Sequence, residues 1–155
     1  MESFCKSLSE TKKVLKPWGY ELWIASSDTN SKFAMKEIFI NSGHKTSYQF
    51  HELKEECAII LSGEGTLLLS KKKIDINKFK NGQYNNSELK DIIKNLQSFK
   101  ISKGSTMQIK PYYIHSILAI TDIKLIESST LELDDVFRLF DQTGRGHGKI
   151  NSEHL

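Results

Sequence analysis

A succession of short β-type runs, each ended by a turn, constrains the fold of this chain most. Residues with high strand propensity are concentrated at 20–24, 33–40, 46–50, 57–61, 66–70, 106–109, 116–120 and 123–128. The sequence NSG at 41–43 separates two runs, and SGEG at 62–65 joins two others as a tight hairpin would. So many short strands favour an all-β sandwich or barrel.

One segment departs from this pattern. Apolar residues with helical spacing (i, i+3, i+4, i+7) occupy positions 89, 92, 93 and 96, and Asn85 or Ser87 is suited to cap the helix start. We therefore predict a short amphipathic helix.

With 155 residues the chain is about one domain long. We expect an N-terminal arm over 1–15, a β domain over 16–145 with a basic helical insertion at 71–103, and a flexible tail over 146–155.

The net charge of +3 is unevenly distributed along the chain. Residues 71–110 contain ten Lys and only three acidic residues, so this segment is basic and the rest of the chain is acidic. A Lys-rich stretch without clustered Arg and with few aromatic residues is typical of a solvated face. We therefore predict no nucleic-acid partner.

The sequence also bears on location. No apolar run approaches the roughly 20 residues that cross a bilayer, so we predict no membrane partner. The N-terminus has Glu2 and lacks the basic start and apolar stretch of a secretion signal, so we expect a cytoplasmic protein. Cys5 and Cys57 lack the spacing of a zinc finger, and we expect Cys57 to be buried and reduced.

Four polar residues form a candidate metal site. Gln49 and His51 are two apart in a β-type run and so share one face of the strand. Glu56 precedes the next run, and His115 follows a Pro-Tyr-Tyr turn that could aim its imidazole inward. Two imidazoles, a carboxylate and an amide oxygen can hold a divalent cation and leave positions open. From the spacing alone, satisfied core or surface polar residues are the favoured interpretation, because Gln-x-His is a common chance pair and a His near a turn is usually satisfied in this way.

The same residues resemble two known motifs. The segment GHKTSYQFH at 43–51, followed by Glu56 and Gly63, resembles the first cupin motif, G-x5-H-x-H-x4-E-x6-G, with Gln49 in place of the first His. Residues 104–115 resemble the second motif, which supplies His115, although Pro111 is displaced and the motif glycine is absent. The resemblance implies a cupin-type double-stranded β-helix, a jelly-roll barrel, with the helical insertion between the motifs, and a homodimer.

Within the cupins, the chain is similar to the type II mannose-6-phosphate isomerase domain. KPWGY at 16–20, SYQFH at 47–51 and DDVFR at 134–138, continuing to GR at 144–145, resemble that family's RPWGY, SLQMH and DDIxR…YGR segments. The resemblance implies four metal ligands: Gln49, His51, Glu56 and His115. ELK at 52–54 replaces the family's His-rich run, and Cys57 replaces another His, so the sugar substrate stays open.

This resemblance implies a metal-dependent aldose-ketose isomerase that acts on a sugar phosphate in carbohydrate or surface-polysaccharide metabolism. Its cofactor would be a divalent metal ion, with zinc expected first and manganese, iron, cobalt or nickel as alternatives. Two other functions stay open. One is a cupin epimerase or isomerase for another sugar phosphate or a nucleotide sugar, and the other is a non-catalytic sugar-binding cupin.

A sugar phosphate requires cations, and four of them fall in segments matching the family. We predict substrate binding by these residues: Lys36, Lys45, Arg138 and Arg145. Lys45 and Arg138 are also the predicted catalytic residues. For each Arg, an ion pair with a nearby Asp is the alternative. The base that moves the proton is left open among Glu52, Glu56, Lys45 and a hydroxide on the metal.

Overall fold

The computed structural model describes residues 3–140 and 148–149. The first element is a 3-10 turn at Leu8–Glu10, and strands make up most of the regular structure that follows. The strands are β1 Lys12–Lys16, β2 Gly19–Ala25, β3 Ala34–Ile40, β4 Tyr48–Phe50, β5 Glu56–Ser62, β6 Glu64–Leu69, β7 Gln97–Ser102, β8 Thr106–Ile109, β9 His115–Ala119, β10 Ile123–Ser129, β11 Phe137–Phe140 and β12 Gly148–Lys149. Two helices, α1 Ile76–Lys80 and α2 Asn86–Lys94, lie between β6 and β7.

The strands form two antiparallel sheets of six strands each. The first sheet has the order β1-β2-β3-β10-β5-β8, and the second has the order β12-β11-β4-β9-β6-β7. Neighbours such as β3 and β10 are far apart in sequence, so each sheet joins both halves of the chain. This arrangement confirms the predicted all-β jelly-roll barrel with a short helical insertion.

Two apolar clusters hold these layers together. The first lies between the sheets and includes Ile40, Ile60 and Ile123, each at most 1% exposed. The second lies between the second sheet and the helices, where Phe50 and Phe137 stack with their ring centroids 5.0 Å apart. The helices therefore cover the outer face of the second sheet, as the apolar stripe of α2 predicts.

The insertion contains more helix and strand than the sequence predicts. The sequence predicts only the second helix, whose start is capped by Asn85 through a reciprocal capping box with Glu88. The structure adds the five-residue α1, and the end of the 71–103 segment is strand β7, which pairs along its whole length with β6. None of the helices described is long and apolar enough to cross a membrane.

The first sheet also begins before residue 16. Strand β1 pairs with β2 from Lys12 to Lys16, within the segment predicted as an arm. Only Val14 of this strand is buried, because β1 lies at the sheet edge, and the sequence therefore looks polar. Cys57, predicted to be buried, is exposed, since strand alternation turns its neighbours Ala58 and Ile60 toward the interior instead.

A glycine is required at the turn between β5 and β6. Gly63 has φ +89°, and a Cβ at this position would lie 2.0 Å from the carbonyl oxygen of Asp122. Any other residue would force these two segments apart. The glycine of the first motif therefore has a direct packing reason, and it fixes the end of the strand that begins with Glu56.

Candidate metal centre

His51, Glu56 and His115 form a compact triad inside the barrel. His51 directly follows β4, and His115 opens β9, the neighbouring strand of the second sheet; Glu56 opens β5 of the first sheet. The Nε2 atoms of His51 and His115 lie 3.5 and 3.3 Å from the carboxylate oxygens of Glu56. The three candidate ligand atoms all lie within 4.8 Å of one another. Both walls of the barrel thus contribute to one site.

The hydrogen bonds of the two imidazoles establish which ring nitrogens face the site. His51 Nδ1 lies 2.5 Å from the carbonyl oxygen of Asp135, and His115 Nδ1 lies 3.0 Å from that of Tyr113. A carbonyl oxygen can only accept, so each Nδ1 carries the proton and donates it. In the neutral rings, the lone pairs are then at Nε2 and point toward Glu56.

These lone pairs fit a cation. Both Nε2 atoms are buried and have no hydrogen-bond partner. Two lone pairs and the Glu56 carboxylate facing one another are all acceptors, an arrangement that is stabilised by a positive charge among them. Two imidazoles and a carboxylate are also a common donor set for a catalytic divalent ion. The residues present therefore fit the metal that the sequence predicts.

Gln49 lies beside this triad. It is opposite His115 in the pairing of β4 with β9, and it lines the same cavity. Its Oε1 accepts a hydrogen bond of 2.8 Å from the hydroxyl of Ser47, which orients the amide. The structure thus gathers all four predicted ligands around one cavity, and the coordinating role of Gln49 stays a prediction.

Asp135 organises the loop that carries the triad. Its carboxylate accepts hydrogen bonds from the backbone N–H groups of Glu52, Leu53 and Lys54, at 3.2, 2.5 and 2.9 Å. Its carbonyl oxygen accepts the bond from His51. Sequence reasoning considered Asp135 only as a partner for Arg. No local signal reveals this role, because more than 80 residues separate Asp135 from the loop.

Two further charged residues face the triad, and sequence reasoning did not assign them a role. The ammonium of Lys54 lies 2.5 Å from Glu56 Oε2 and 3.0 Å from Glu127 Oε1. Both Lys54 and Glu127 line the cavity. For Glu127 a signal exists: in the run 123–128 it shares its face with the buried Ile123 and Leu125, so strand alternation places it inside.

The opposite charges of Glu56, Lys54 and Glu127 stabilise one another. Burial acts to raise the pKa of Glu56, but the ammonium of Lys54 holds that pKa well below its usual range. Burial likewise acts to lower the pKa of Lys54, but Glu127 and Glu56 raise it above its ordinary value. At neutral pH the site therefore contains the Glu56 carboxylate and the Lys54 ammonium, both charged.

A strained turn ties the two imidazoles together. Tyr112 has φ +72°, a left-handed conformation, in the segment where the cupin motif has a glycine. Its N–H donates to the carbonyl oxygen of His51 at 2.7 Å, and the next residue, Tyr113, accepts the bond from His115. A non-glycine residue pays about 1 to 2 kcal/mol for this conformation. Tyr112 thus adopts a left-handed conformation of the kind that favours glycine, although the motif glycine itself is absent.

The predicted substrate-binding cations are dispersed. Lys36 lines the cavity, is 3% exposed, and donates to Glu21 Oε2 at 3.0 Å. Lys45 does not line it and donates to the hydroxyl of Tyr48 at 2.8 Å. Arg138 is buried opposite Gln49 and is also not a lining residue. Arg145 lies outside the described residues.

The cavity itself is small. Its volume is about 70 Å³, and besides the polar residues it is lined by apolar side chains of the first cluster such as Ile38, Leu67 and Leu125. Sites that enclose a whole drug-sized ligand are usually about 300 to 1,000 Å³. This volume suits an ion and the reacting end of a ligand.

Comparisons with known proteins address the fold. No family model matches the chain, and no curated protein matches it. Among solved structures, it is similar to an RmlC-like cupin from Shewanella frigidimarina (TM-score 0.58, 12% identity, 87% of this chain and 96% of that one). It is also similar to a proposed sugar phosphate isomerase from Acidithiobacillus ferrooxidans (TM-score 0.54, 17% identity, 82% and 70%).

A third similar structure is the capsular polysaccharide assembling protein CapF from Staphylococcus aureus (TM-score 0.58, 15% identity, 83% of this chain). This chain spans about a third of CapF, 34% of its length. At such identities the likeness concerns the fold alone, and the specific resemblance to mannose-6-phosphate isomerases stays a prediction. Together with the two-sheet topology and the position of the triad, these comparisons show that the chain has the cupin fold.

Proposed function

We propose that this protein is a metal-dependent aldose-ketose isomerase for a sugar phosphate, of the mannose-6-phosphate isomerase type. The observation that carries the proposal is the pair of unpartnered imidazole nitrogens that face Glu56 inside the barrel. A divalent ion held by His51, Glu56, His115 and Gln49, zinc in the first instance, would supply Lewis acidity to the carbonyl and hydroxyl oxygens of the sugar.

The chain's own residues must move a proton between adjacent carbons. Among the described carboxylates that line the cavity, Glu56 belongs to the triad, and Glu21 accepts bonds from the indole of Trp23 and the ammonium of Lys36. We assign the proton transfer to the remaining one, Glu127. Its neighbour Lys54, 3.0 Å away, stabilises negative charge as it develops.

Glu52, one of the sequence candidates for the base, has a different partner. Both of its carboxylate oxygens accept bonds from Lys80 of α1, at 2.7 and 2.8 Å, and it does not line the cavity. This contact connects the triad loop to the insertion. We therefore favour Glu127 over Glu52 as the base.

The size of the cavity bears on where the phosphate binds. With about 70 Å³ inside, we place the carbonyl end of the sugar at the triad and its phosphate outside. Lys45 directly precedes Thr46, which lines the cavity, so Lys45 is our first candidate for the phosphate. Lys36 would act from within, and Arg138 and Arg145 remain proposed contributors.

The same small cavity favours one alternative. A nucleotide sugar, or another sugar phosphate, could also place only its reacting sugar end inside, with the remainder outside. The likeness to CapF, a capsular polysaccharide assembling protein, supports such a substrate in surface-polysaccharide synthesis. Epimerisation or isomerisation of that substrate would use the same triad and the same proton transfer.

The test is proton NMR in deuterated water. Hexose, pentose and heptose phosphates, and then nucleotide sugars, are incubated with the protein and added zinc or manganese. We expect deuterium to enter beside the carbonyl of one sugar and to be absent with His115→Ala and with a chelated sample. At saturating metal, Glu127→Gln should still be loaded but lose the exchange. A metal-loaded wild type that exchanges none of these sugars would contradict the proposal and leave a sugar-binding cupin.

A further inference from the structure

The ammonium group of Lys54 bonds directly to Glu56, one of the proposed metal ligands. We propose that Lys54 is an internal cation that competes with the divalent ion for Glu56 and so limits how tightly the triad binds metal. This inference rests on the metal site of the proposed function. It adds a second role for Lys54, which is not itself one of the proposed metal ligands.

The contacts show how close this competition is. The Lys54 ammonium lies 2.5 Å from Glu56 Oε2, and the same oxygen lies 3.5 Å from His51 Nε2. The other oxygen, Oε1, lies 3.3 Å from His115 Nε2. The Lys54 side chain is 6% exposed, so water can neither replace this bond nor screen its charge effectively. The lysine therefore reaches the triad carboxylate from inside the barrel.

A divalent ion at the triad meets this ammonium in one of two ways. It either takes Glu56 away from Lys54 or shares the carboxylate with it. In the first case a buried ion pair is lost, and in the second two cations repel each other in a poorly screened interior. Both reduce metal affinity.

Glu127 sets the balance of this competition. It accepts a bond of 3.0 Å from the same ammonium, so Lys54 keeps one partner when Glu56 binds an ion. Without the charge of Glu127, Lys54 would depend on Glu56 alone and hold it more strongly. The two residues thus have opposite predicted effects on metal affinity.

Lys36 offers a matched control. It is as buried as Lys54, lines the same cavity, and also bonds to a carboxylate at 3.0 Å. Its partner is Glu21, which is not part of the triad. Replacement of Lys36 therefore removes a buried positive charge without removing a bond to Glu56.

The experiment is a competition titration of the metal-free full chain with zinc against a chromophoric chelator. We expect Lys54→Met to bind zinc roughly 10- to 100-fold more tightly than wild type, the range typical of changes just outside the ligands. Glu127→Gln should bind it about tenfold more weakly. Lys36→Met should change the affinity far less than either. Circular dichroism of each metal-free variant checks that it folds.

Lys54→Met leaves two buried carboxylates without this partner, so it is the variant most exposed to misfolding. Glu127→Gln keeps the shape of the side chain and the Lys54–Glu56 bond, and it carries the test by itself if Lys54→Met does not fold. Wild-type affinity in the folded variants would overturn the inference and leave the metal site standing. Equal tightening by Lys36→Met would also overturn it, and zinc binding by none of the proteins would overturn both the inference and the metal site.

Discussion

Two buried charge clusters line the same cavity, and they differ in what they can bind. The Glu21 cluster contains Lys16, Glu21, Trp23 and Lys36. Its carboxylate accepts a bond of 2.9 Å from the indole N–H and one of 3.0 Å from Lys36, with the Lys16 ammonium 4.0 Å away. Among the described residues of this cluster, donors outnumber carboxylates, so the cluster is suited to a structural ion pair.

The triad cluster contains His51, Lys54, Glu56, His115 and Glu127. It has two carboxylates for one ammonium and two further lone pairs at the imidazole Nε2 atoms. Acceptors therefore exceed donors, and a divalent cation would correct the imbalance. The comparison shows that burial and charge alone do not define a metal site; a surplus of lone pairs does.

The largest difference is expected when the central carboxylate of each cluster is neutralised. Glu56→Gln should reduce zinc affinity by more than about 100-fold, since even the loss of a supporting contact costs about 10- to 100-fold. Glu21→Gln should leave zinc affinity unchanged but destabilise the fold by about 3 to 5 kcal/mol, because the buried ammonium groups lose their bonds to this carboxylate. Zinc titration and urea unfolding measure the two effects. An equal loss of zinc affinity in Glu56→Gln and Glu21→Gln would contradict the distinction between the two clusters.

The next effect concerns the support of the triad loop. Asp135→Asn weakens the bonds to three backbone N–H groups of the loop, and we expect zinc affinity to fall about tenfold. Asp122→Asn is the matched control, because Asp122 also accepts a backbone bond, at 2.8 Å from the N–H of Ser42, but makes this bond outside the triad loop. Its zinc affinity should equal that of wild type. An unchanged affinity in Asp135→Asn would show that the loop holds its shape without this carboxylate.

A pH effect should distinguish Glu56 in the metal-free chain. Its pKa is lowered on folding, so its contribution to stability is present above the unfolded value of about 4.3 and is lost as the pH falls. Below about pH 4.5 we expect the free energy of unfolding of the wild type to fall more steeply with decreasing pH than that of Glu56→Gln. The difference in slope corresponds to at most one additional proton bound on unfolding. Urea unfolding between pH 3 and 7 tests this, and parallel curves would contradict it.

The smallest effect concerns the turn between the two imidazoles. Tyr112→Ala and Tyr112→Gly remove the same ring, but only glycine adopts φ +72° without strain. We expect the alanine variant to be less stable than the glycine variant by about 1 kcal/mol. At an ordinary half-buried residue such as Tyr113 the order should reverse. Thermal unfolding of the four variants is the measurement. If alanine were more stable than glycine at position 112 as well as at position 113, the turn would not be strained.

Much of the fold could be predicted from sequence because it depends on local patterns. Strand alternation located most of the central strands, and the spacing from Gln49 to Glu56 placed three polar residues on two consecutive strands, β4 and β5, and the loop between them. The strands missed at sheet edges are β1, β7 and β12, where few side chains are buried and the pattern is weak. Strand β12 lies in the segment predicted as a flexible tail. Strand β11 was missed because it is short, with four residues.

The surroundings of the site depend on contacts between distant segments, which no local pattern reveals. Lys54 and Glu127 are 73 residues apart in sequence, and His51 and Asp135 are 84 apart. The motif located the triad, but the internal ammonium and the carboxylate that supports the loop became visible only after folding. Lys45, predicted to bind substrate, donates to the hydroxyl of Tyr48 in the structure, and its role toward substrate stays a prediction.

The central claim is that the triad cluster binds one divalent ion. X-ray absorption spectroscopy of the zinc-loaded chain, for wild type and His115→Ala, tests this most directly. We predict one zinc per chain with nitrogen and oxygen ligands at about 2.0 Å and the scattering signature of two imidazoles, lost in the variant. Zinc bound through sulfur, or an unchanged spectrum in His115→Ala, would contradict the claim.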